Sequence, residues 1–290
     1  MFGTEIAPIL PYTRKDINRL AQIVVEKRTT VTGVQSKLSI DLEHDAAGNP
    51  QSLTIVGVMG RYILKPQTEQ FECLPEIEDL SMHLAEIAKI PTVPHSLIRF
   101  ADGELNYITK RIDRTDDGRK LPMEYMCQLS GKLTEQKYQG SYEMIARFLD
   151  QYSSVSMLDK VNYWQQVVFS WIIGNADMHL KNFSLYSIRE GHYVLCPTYD
   201  QVSTKIVMPE DTEEVALSLN GFKKSLLVYD FREAMFSTGL SEVVANRILS
   251  GFAKFRDKWM VCIDNSFISD NQKEQYKKLI DHRLETLAKE

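Results

Sequence analysis

The hydrophobic pattern of this chain changes period partway along, and this change constrains the fold most. The early segments alternate apolar and polar side chains, as in residues 38–42, which is typical of strands with one buried face. From Met123 onwards apolar residues recur at helical spacing, most clearly over residues 158–173, which predicts amphipathic helices. The sequence therefore predicts an α+β fold with a sheet-rich N-terminal lobe (residues 1–113) and a helical C-terminal lobe (residues 114–290).

Turn and cap residues divide both lobes into shorter elements. In the N-terminal lobe we predict helices over residues 17–27 and 76–88, and strands over residues 52–58, 61–64, 96–100 and 105–110. In the C-terminal lobe we predict helices over residues 141–149, 230–236, 241–255 and 271–289, and strands over residues 183–187 and 193–195.

The overall composition excludes several classes of protein. Of the 290 residues, 43% are hydrophobic and 25% are charged, with a net charge of −5. A dedicated nucleic-acid binder usually carries a basic field, which this balance does not supply. No apolar run approaches the roughly 18 residues of a membrane helix, and the first residues do not form a secretory signal. We therefore expect a globular cytoplasmic protein without membrane contact.

Two polar residues after the predicted helix 158–173 stand at a spacing used in phosphoryl transfer. Asp177 and Asn182 form D-x-x-x-x-N, the spacing of the protein-kinase catalytic loop. There the aspartate accepts or orients the proton of the attacking hydroxyl. Asn182, with Asp200 after the next strand pair, offers the hard oxygen ligands that magnesium prefers. The pair alone is equally typical of a turn, and its combination with Asp200 and Lys65 favours the kinase interpretation.

Lys65 ends a predicted strand and is the candidate cation for the nucleotide phosphates. A carboxylate on the next helix would hold it, with Glu78 as the first candidate and Glu76 as the second. Residues 30–37 would form the phosphate-facing loop, although this stretch is neither a Walker A nor a G-x-G-x-x-G sequence. His179, two residues after Asp177, is as compatible with packing as with a contact to nucleotide, and no ligand-spaced partners predict a metal-binding role for it.

Several segments together resemble the HipA family of bacterial toxin serine/threonine kinases, over roughly residues 28–260. These segments are GVQSKLS (33–39), YILKP (62–66), EDLSM (78–82), ITKRIDR (108–114), GNADMHLKN (174–182) and PTYD (197–200).

The resemblance implies a two-lobed protein-kinase-like fold, ATP as phosphoryl donor and Mg²⁺ as cofactor. It implies Asp177 and Lys65 as catalytic residues, and Asn182 and Asp200 as magnesium ligands. It also implies a set of nucleotide-binding residues, which comprises Gly33, Val34, Lys65, Glu78, Thr109, Lys110, Arg111, Ile112, His179 and Tyr199.

The family resemblance also implies a biological role. Relatives phosphorylate aminoacyl-tRNA synthetases on serine, stop translation, and are neutralised by an antitoxin, so DNA would be reached only indirectly. Residues 1–29 precede the glycine loop here, whereas full-length HipA proteins carry a longer segment. In this respect the chain is similar to HipT, the short kinase of three-component HipBST systems, with HipS-like and HipB-like proteins as partners. Thr30 and Thr32 stand where relatives carry autophosphorylated serines, which makes them candidate phosphorylation sites.

Two other interpretations stay open at this point. The same residues would serve a kinase acting on a lipid or small-molecule hydroxyl, although no strongly basic amphipathic segment favours a lipid surface. Alternatively, the chain is a catalytically silent pseudokinase that sequesters partners. The presence of Lys65, Asp177, Asn182 and Asp200 disfavours that alternative.

Overall fold

A computed structural model describes most of the chain. The described residues are 1–2, 7–16, 37–46, 49–56 and 59–289. The predicted helix 17–27 and the predicted phosphate loop up to Ser36 lie outside these residues. The chain divides into two compact units, of which the first comprises Met1–Asp79 and Val93–Lys120 and the second comprises Leu80–Thr92 and Leu121–Glu290.

The first unit is built on an antiparallel sheet of five strands. The strands are β1 (Leu38–His44), β2 (Pro50–Ile55), β3 (Tyr62–Lys65), β4 (His95–Arg99) and β5 (Leu105–Lys110), in the order β2-β1-β3-β5-β4. Helix α1 (Leu74–Ile87) begins in this unit. One face of the sheet is apolar, since Ile40, Leu64 and Ile108 are fully buried in one cluster, and this packing fixes the strand register.

The central position of β3 explains its short, apolar sequence. It pairs with β1 on one side and β5 on the other, with Leu64 opposite both Leu38 and Ile108. A strand flanked on both sides has all its backbone groups in ladders and contacts neighbours along its whole length. Lys65, the last residue of β3, lies opposite Tyr107 of β5 at the end of this central strand.

The second unit combines one small sheet with most of the helices. The strands β6 (Met123–Tyr125), β7 (Ser184–Arg189) and β8 (His192–Leu195) form an antiparallel sheet in that order. The helices are α2 (Met126–Leu129), α3 (Tyr142–Tyr152), α4 (Ser156–Ile172), α5 (Thr204–Val207), α6 (Val228–Ser237), α7 (Glu242–Ser250), α8 (Arg256–Asp264) and α9 (Asp270–Leu287).

Helix α4 is the centre of the second unit. Its residues Trp164, Val168 and Trp171 are fully buried, as the apolar stripe predicted. The ring of Phe169 meets Trp259 of α8 at 6.0 Å between centroids. A helix surrounded on several sides is a rigid support, so the loop that follows α4 starts from a fixed point.

The helical prediction from Met123 onwards is wrong at its first residues. Met123–Tyr125 form the edge strand β6, in which Glu124 lies opposite Leu185 of β7. Three residues are too few to show a period, so pairing with β7 determines their conformation.

The predicted helix 241–255 ends early. Helix α7 stops at Ser250, and Gly251 caps it. A short 3₁₀ turn, Ala253–Phe255, then leads into α8, which the sequence did not predict. Glycine loses more backbone freedom in a helix than any other residue, and here it separates two short helices.

Within the described part of the chain, no helix has both the length and the apolarity needed to cross a bilayer.

Candidate active site

The loop after α4 starts at a glycine that no other residue could replace without strain. Gly174 has φ = +70°, and a Cβ atom there would lie 2.7 Å from Leu279 Cδ2 and 2.8 Å from Lys205 Cβ. It follows the helix end in the left-handed conformation that helix C-termini favour. The backbone N–H of Asn175 donates to the carbonyl of Ser170 at 2.8 Å. The chain therefore leaves α4 in one fixed direction.

Asn175 joins the two loops that carry the predicted catalytic residues. It is fully buried, and its Oδ1 accepts the backbone N–H of Asp177 at 3.1 Å. Its Nδ2 donates to Gln201 Oε1 at 3.1 Å and to the Asp200 carbonyl at 3.4 Å. Gln201 is itself held by the hydroxyl of Ser170. Burial makes such a network costly to break, so Asn175 positions Asp177 and Asp200 together.

Asp177 and Asn182 are connected directly by a hydrogen bond. The Nδ2 of Asn182 donates to the backbone carbonyl of Asp177 at 2.8 Å. This bond closes the loop and fixes the orientation of the carboxamide. The Asn182 Oδ1 accepts no hydrogen bond from the residues that the structure describes. Asn182 is almost fully buried, whereas the Asp177 side chain is 44% exposed.

Asp200 follows β8 in an unusual backbone conformation. Its φ is +54°, in the left-handed region that few residues other than glycine adopt. Aspartate tolerates this region better than most side chains. Non-glycine residues in this conformation cluster at functional sites. The preceding Thr198 donates its N–H to the Pro91 carbonyl at 2.7 Å, which anchors the segment.

His179 lies beside Asp177 as a neutral imidazole. Burial lowers the pKa of His179 to about 4, and the nearby cation of Lys137 acts in the same direction, while the carboxylates of Asp177 and Asp200 oppose it. Its Nδ1 accepts the N–H of Lys181 at 3.3 Å. In the neutral ring Nε2 then carries the proton, 4.0 Å from Asp177 Oδ2. The Nε2 of His179 thus faces the Asp177 carboxylate from beyond hydrogen-bond distance.

Tyr138 contacts Asp177, and the sequence did not predict this contact. Its hydroxyl donates to Asp177 Oδ1 at 2.6 Å. Burial and the Asp177 carboxylate both raise the pKa of Tyr138, so the phenol stays protonated and is the donor. Its ring meets the ring of His179 edge-on at 5.1 Å. Tyr138 is 39 residues away from Asp177, and no motif marks it in the sequence.

Tyr199 supports the loop from the side of β7. Its hydroxyl is 2.6 Å from the Ser184 hydroxyl and donates to the Lys181 carbonyl at 3.2 Å. Burial raises the pKa of Tyr199 well above its usual value. These contacts assign it a supporting position next to Asp200.

In the first unit, Lys65 and Glu78 form the predicted pair. Lys65 Nζ lies 2.5 Å from Glu78 Oε1, and the two side chains are only 4% and 3% exposed. Lys65 Nζ also stands 5.3 Å from the ring centroid of Tyr107 on β5. Glu76, the second candidate, is half-buried, and burial raises the pKa of its carboxyl. Glu78 is therefore the carboxylate that holds Lys65.

The predicted nucleotide-binding residues at the end of β5 are well ordered by local contacts. The Thr109 hydroxyl donates to the Pro94 carbonyl at 3.2 Å. Lys110 Nζ pairs with Asp116 at 2.6 Å, and Arg111 holds Asp113 through two bonds of 2.8 Å and 2.7 Å. The half-buried Ile112 follows directly after them. Gly33, Val34, Thr30 and Thr32 lie outside the described residues.

Asn182 and Asp200 fit a magnesium ion by their chemistry. Magnesium prefers hard oxygen ligands and retains several waters, so it needs few protein groups. The orientation of the Asn182 carboxamide leaves its Oδ1 available, and Asp200 adds a carboxylate. The Asn175 network ties the backbones of both loops to the same buried side chain.

Comparison with known proteins identifies relatives with kinase names. The sequence profile described as "HipA-like C-terminal domain" matches residues 29–259. A Haemophilus influenzae protein named "Putative kinase" is 27% identical over 86% of this chain and 72% of its own length. "Putative kinase Y4dM" of Sinorhizobium fredii is 32% identical over 70% of this chain. The chain spans about half of that relative, 53% of its length.

Two solved structures share the fold. One is from the Shewanella oneidensis MR-1 toxin–antitoxin complex of HipA, HipB and operator DNA, with a TM-score of 0.75 and 18% identity over 97% of this chain and 72% of that one. The other is the Helicobacter pylori proinflammatory kinase CtkA, with a TM-score of 0.61 and 14% identity over 87% of this chain and 94% of that one. The predicted α+β, kinase-like fold is confirmed, and the chain belongs to the family of HipA-like C-terminal domains.

Proposed function

We propose that the protein is an ATP-dependent serine/threonine protein kinase and the toxin of a toxin–antitoxin system. The observation that carries this proposal is the closed loop between Asp177 and Asn182. The Asn182 side chain holds the Asp177 backbone and keeps its own Oδ1 available. A half-exposed carboxylate beside an available amide oxygen is what hydroxyl activation and metal binding require.

The second unit would supply the base and the metal ligands. Asp177 accepts the proton of the attacking hydroxyl, and the neutral ring of His179 lies beside its carboxylate. Asn182 and Asp200 would hold Mg²⁺, which neutralises charge on the phosphate oxygens when bound. Asn175 holds the backbones of Asp177 and Asp200 in a fixed relation, so the site does not need to reorganise.

The first unit would bind the nucleotide. Lys65 neutralises the phosphates of ATP, and Glu78 fixes its ammonium group in place. Both side chains of this pair are almost fully buried, and desolvation makes a buried ion pair weak evidence for stability, which supports a role beyond stability. The backbone of residues 109–112 is the proposed contact for the adenine ring of ATP. Gly33 and Val34 are the proposed residues of the phosphate-binding loop. The domain boundary that we propose from the sequence lies between residues 113 and 114.

The proposed substrate is an aminoacyl-tRNA synthetase, and the proposed partners are antitoxins. The substrate rests on the resemblance to the HipA family, and the antitoxin partner is supported by the similarity to a chain of a complex that contains HipA, HipB and DNA. We further propose the short HipT subtype with a HipS-like and a HipB-like partner, and with DNA contacted only through the antitoxin. The bacterial cytoplasm, where ATP and synthetases occur, is the proposed compartment.

Transfer of the γ-phosphate of labelled ATP to a panel of purified bacterial synthetases tests the function. We expect one synthetase to be labelled on serine or threonine by the wild type with Mg²⁺. Asp177→Asn should reduce the rate at least about 100-fold, which is the usual contribution of a general base. Chelation of Mg²⁺ should abolish transfer.

A matched control separates loss of the site from general damage. Asp257 is a surface aspartate of α8, almost fully exposed, and Asp257→Asn should leave the rate unchanged. Equal, background-level transfer by wild type and Asp177→Asn to every protein offered would contradict the kinase proposal. Transfer of the label to phosphatidylinositol or to a small alcohol, and not to protein, would support the alternative in which the acceptor is a lipid or a small molecule.

The hydroxyls of Thr30 and Thr32 are proposed switch sites. A phosphate adds about −1.5 to −2 charges at neutral pH and would repel the phosphates of ATP. Intact-mass spectrometry of the wild type and of Asp177→Asn measures how many phosphates each protein carries. We expect a mass gain of one or two phosphates in the wild type alone, and Thr30→Val with Thr32→Val should remove it. A wild type without added mass would exclude self-modification.

A further inference from the structure

Tyr138 lies on an exposed segment that the backbone attaches to the catalytic loop. The 3₁₀ turn Thr134–Gln136 ends two residues before it. The N–H of Leu180 donates to the carbonyl of Lys137 at 3.1 Å. The Lys137 ammonium group stands 4.9 Å from the Tyr138 ring centroid, and His179 contacts the ring edge-on. The phenol is therefore placed on the site by backbone and ring contacts, while 41% of Tyr138 remains exposed.

The Tyr138 hydroxyl stands where a reacting hydroxyl would stand. A general base takes a proton from a hydroxyl at about 2.6–3.2 Å. Tyr138 Oη donates to Asp177 Oδ1 at 2.6 Å. The other carboxylate oxygen, Oδ2, faces His179 Nε2 at 4.0 Å. Within the described residues, Tyr138 thus occupies the exposed side of Asp177 that an acceptor needs.

We propose that Tyr138 is a built-in occupant of the acceptor position on Asp177, which a substrate hydroxyl must displace before phosphoryl transfer. This inference rests on the proposed kinase function and adds a specificity-determining residue to it. A water molecule or a small alcohol has few other contacts with which to compensate for the lost bond. A protein acceptor binds over a larger surface and does displace the phenol. Tyr138 thereby selects protein acceptors over water.

The displacement has a defined kinetic signature. Hydrogen bonds to charged groups are strong enough to favour the occupied state over the open one about tenfold. When the competent state is only a fraction of the population, the apparent affinity for the acceptor falls by that fraction. Tyr138→Phe removes the hydroxyl and keeps the ring against His179. We therefore expect KM for the protein acceptor to fall about tenfold with kcat unchanged.

The same variant should also hydrolyse ATP faster than the wild type. Without the phenol hydroxyl, water reaches Asp177, so Mg·ATP hydrolysis in the absence of protein should rise several-fold in Tyr138→Phe. The test uses the full chain, dephosphorylated casein as the protein acceptor probe, and labelled ATP. Tyr152→Phe is the control, because Tyr152 is similarly exposed (39%) and its ring contacts Phe148 of the same helix. It should match the wild type in both assays.

Several outcomes overturn the proposal. If Tyr138→Phe lowers kcat, the phenol supports Asp177 instead of competing for it. If KM and hydrolysis both match the wild type, Tyr138 does not occupy the acceptor position during turnover. In both cases wild-type transfer stays above that of Asp177→Asn, so the kinase function stands while the inference fails.

A measurement without turnover keeps the contact testable if the kinase function fails. Tyrosines labelled with ¹³C at Cζ give one resonance that Tyr138→Phe removes. We expect that resonance to shift in Asp177→Asn, because the carboxylate acceptor is lost. No shift would mean that the phenol does not bind Asp177 in solution, which overturns the inference independently of activity. No transfer in any variant, with the shift present, would reject the kinase function instead.

Discussion

The Lys65–Glu78 pair provides a sharp test at the scale of single residues. Both charges are almost fully buried, and a buried pair is weak evidence for stability because desolvation opposes the attraction. Removing one partner leaves the other charge buried. We predict that Glu78→Gln lowers the free energy of unfolding by about 3–5 kcal/mol, measured by urea denaturation.

The double variant separates function from stability in the same pair. Lys65→Met with Glu78→Leu replaces two buried charges by apolar groups of similar size, which is often neutral. We expect it to recover most of the stability lost in Glu78→Gln and to be inactive. A double variant as unstable as the single one would mean that the pair is needed for folding. In that case its position would say nothing about nucleotide binding.

His179 predicts a pH dependence of stability with a definite sign. Burial lowers the pKa of His179 to about 4 in the folded chain, below the ordinary value near 6.5. Above pH 6.5 both the folded and the unfolded chain carry a neutral imidazole, so the titration of His179 takes nothing from the stability of the fold. As pH falls from 6.5 towards 4, only the unfolded chain gains the proton. Stability is then lost at about 1.4 kcal/mol per pH unit.

Urea midpoints of wild type and His179→Gln across this range measure the effect. Asp177, Lys137 and Asp200 are the charged groups that act on His179, and all remain in the variant. The difference in stability between the two proteins should shrink as pH falls below 6.5 and level off near 4. His192→Gln, at an exposed position of β8, is the control. A constant difference would contradict the neutral buried imidazole.

Single residues also show what the sequence could and could not predict. Asp177 and Asn182 are five positions apart, so their spacing was readable and their backbone contact agrees with it. Glu78 was correctly preferred over Glu76, since it is the residue that holds Lys65. Tyr138 is different, because its contact with Asp177 depends on how two distant segments pack. No local pattern encodes such a contact.

At the scale of elements, Gly174 controls how the catalytic loop leaves α4. Alanine there would require a left-handed conformation and would place Cβ 2.7–2.8 Å from Leu279 and Lys205. Strain of the backbone alone costs about 1–3 kcal/mol, and the close contacts add to it. We predict that Gly174→Ala lowers the unfolding free energy by more than about 2 kcal/mol and reduces phosphoryl transfer.

Gly191 in the β7–β8 turn is the matched control for this change. Its φ is +77°, and a Cβ there would meet nothing within 4 Å. Gly191→Ala therefore has the backbone strain without the crowding. The difference between the two variants isolates the contacts with Leu279 and Lys205. Equal losses of stability and unchanged transfer in both would show that crowding at Gly174 does not disturb the loop.

Elements with a long periodic pattern were the ones that the sequence predicted well. The buried stripe of α4 spans several turns, and the structure places the helix at Ser156–Ile172. Strand β6 and the interrupted helix 241–255 were missed for opposite reasons. The first is too short to display a period, and in the second the apolar residues continue across the break at Gly251. Tertiary packing decides both cases.

At the scale of the whole molecule, the second unit extends beyond the region that the family profile matches. That match ends at residue 259, whereas α9 runs from Asp270 to Leu287 and buries Tyr276 and Ile280 completely. The Tyr276 hydroxyl lies 2.8 Å from the Ser81 hydroxyl of α1. Helix α9 is therefore part of the core of this unit.

Arg283 of α9 joins three segments of that unit. It pairs with Glu214 at 2.7 Å, and its guanidinium lies 4.2 Å from the ring centroid of Trp171 in α4. Trp171 donates its indole N–H to Glu214 at 2.8 Å. Burial opposes ionisation of Glu214, but Trp171 and Arg283 outweigh it and lower the pKa of the carboxyl. The lowered pKa means that ionised Glu214 stabilises the fold above the ordinary glutamate pKa. This stabilisation is lost as pH falls through the lowered pKa of Glu214.

Removal of α9 should therefore prevent stable folding of the second unit. Loss of a large buried side chain costs about 2–5 kcal/mol. Tyr276 and Ile280 would be lost together, and Glu214 would lose Arg283. That sum approaches the 5–15 kcal/mol by which whole domains are stable. We predict that a chain ending at Ser269 has no cooperative thermal transition by circular dichroism, whereas one ending at Leu287 melts like the full chain. A cooperative transition at the same temperature in both would show that the helical core is complete without α9.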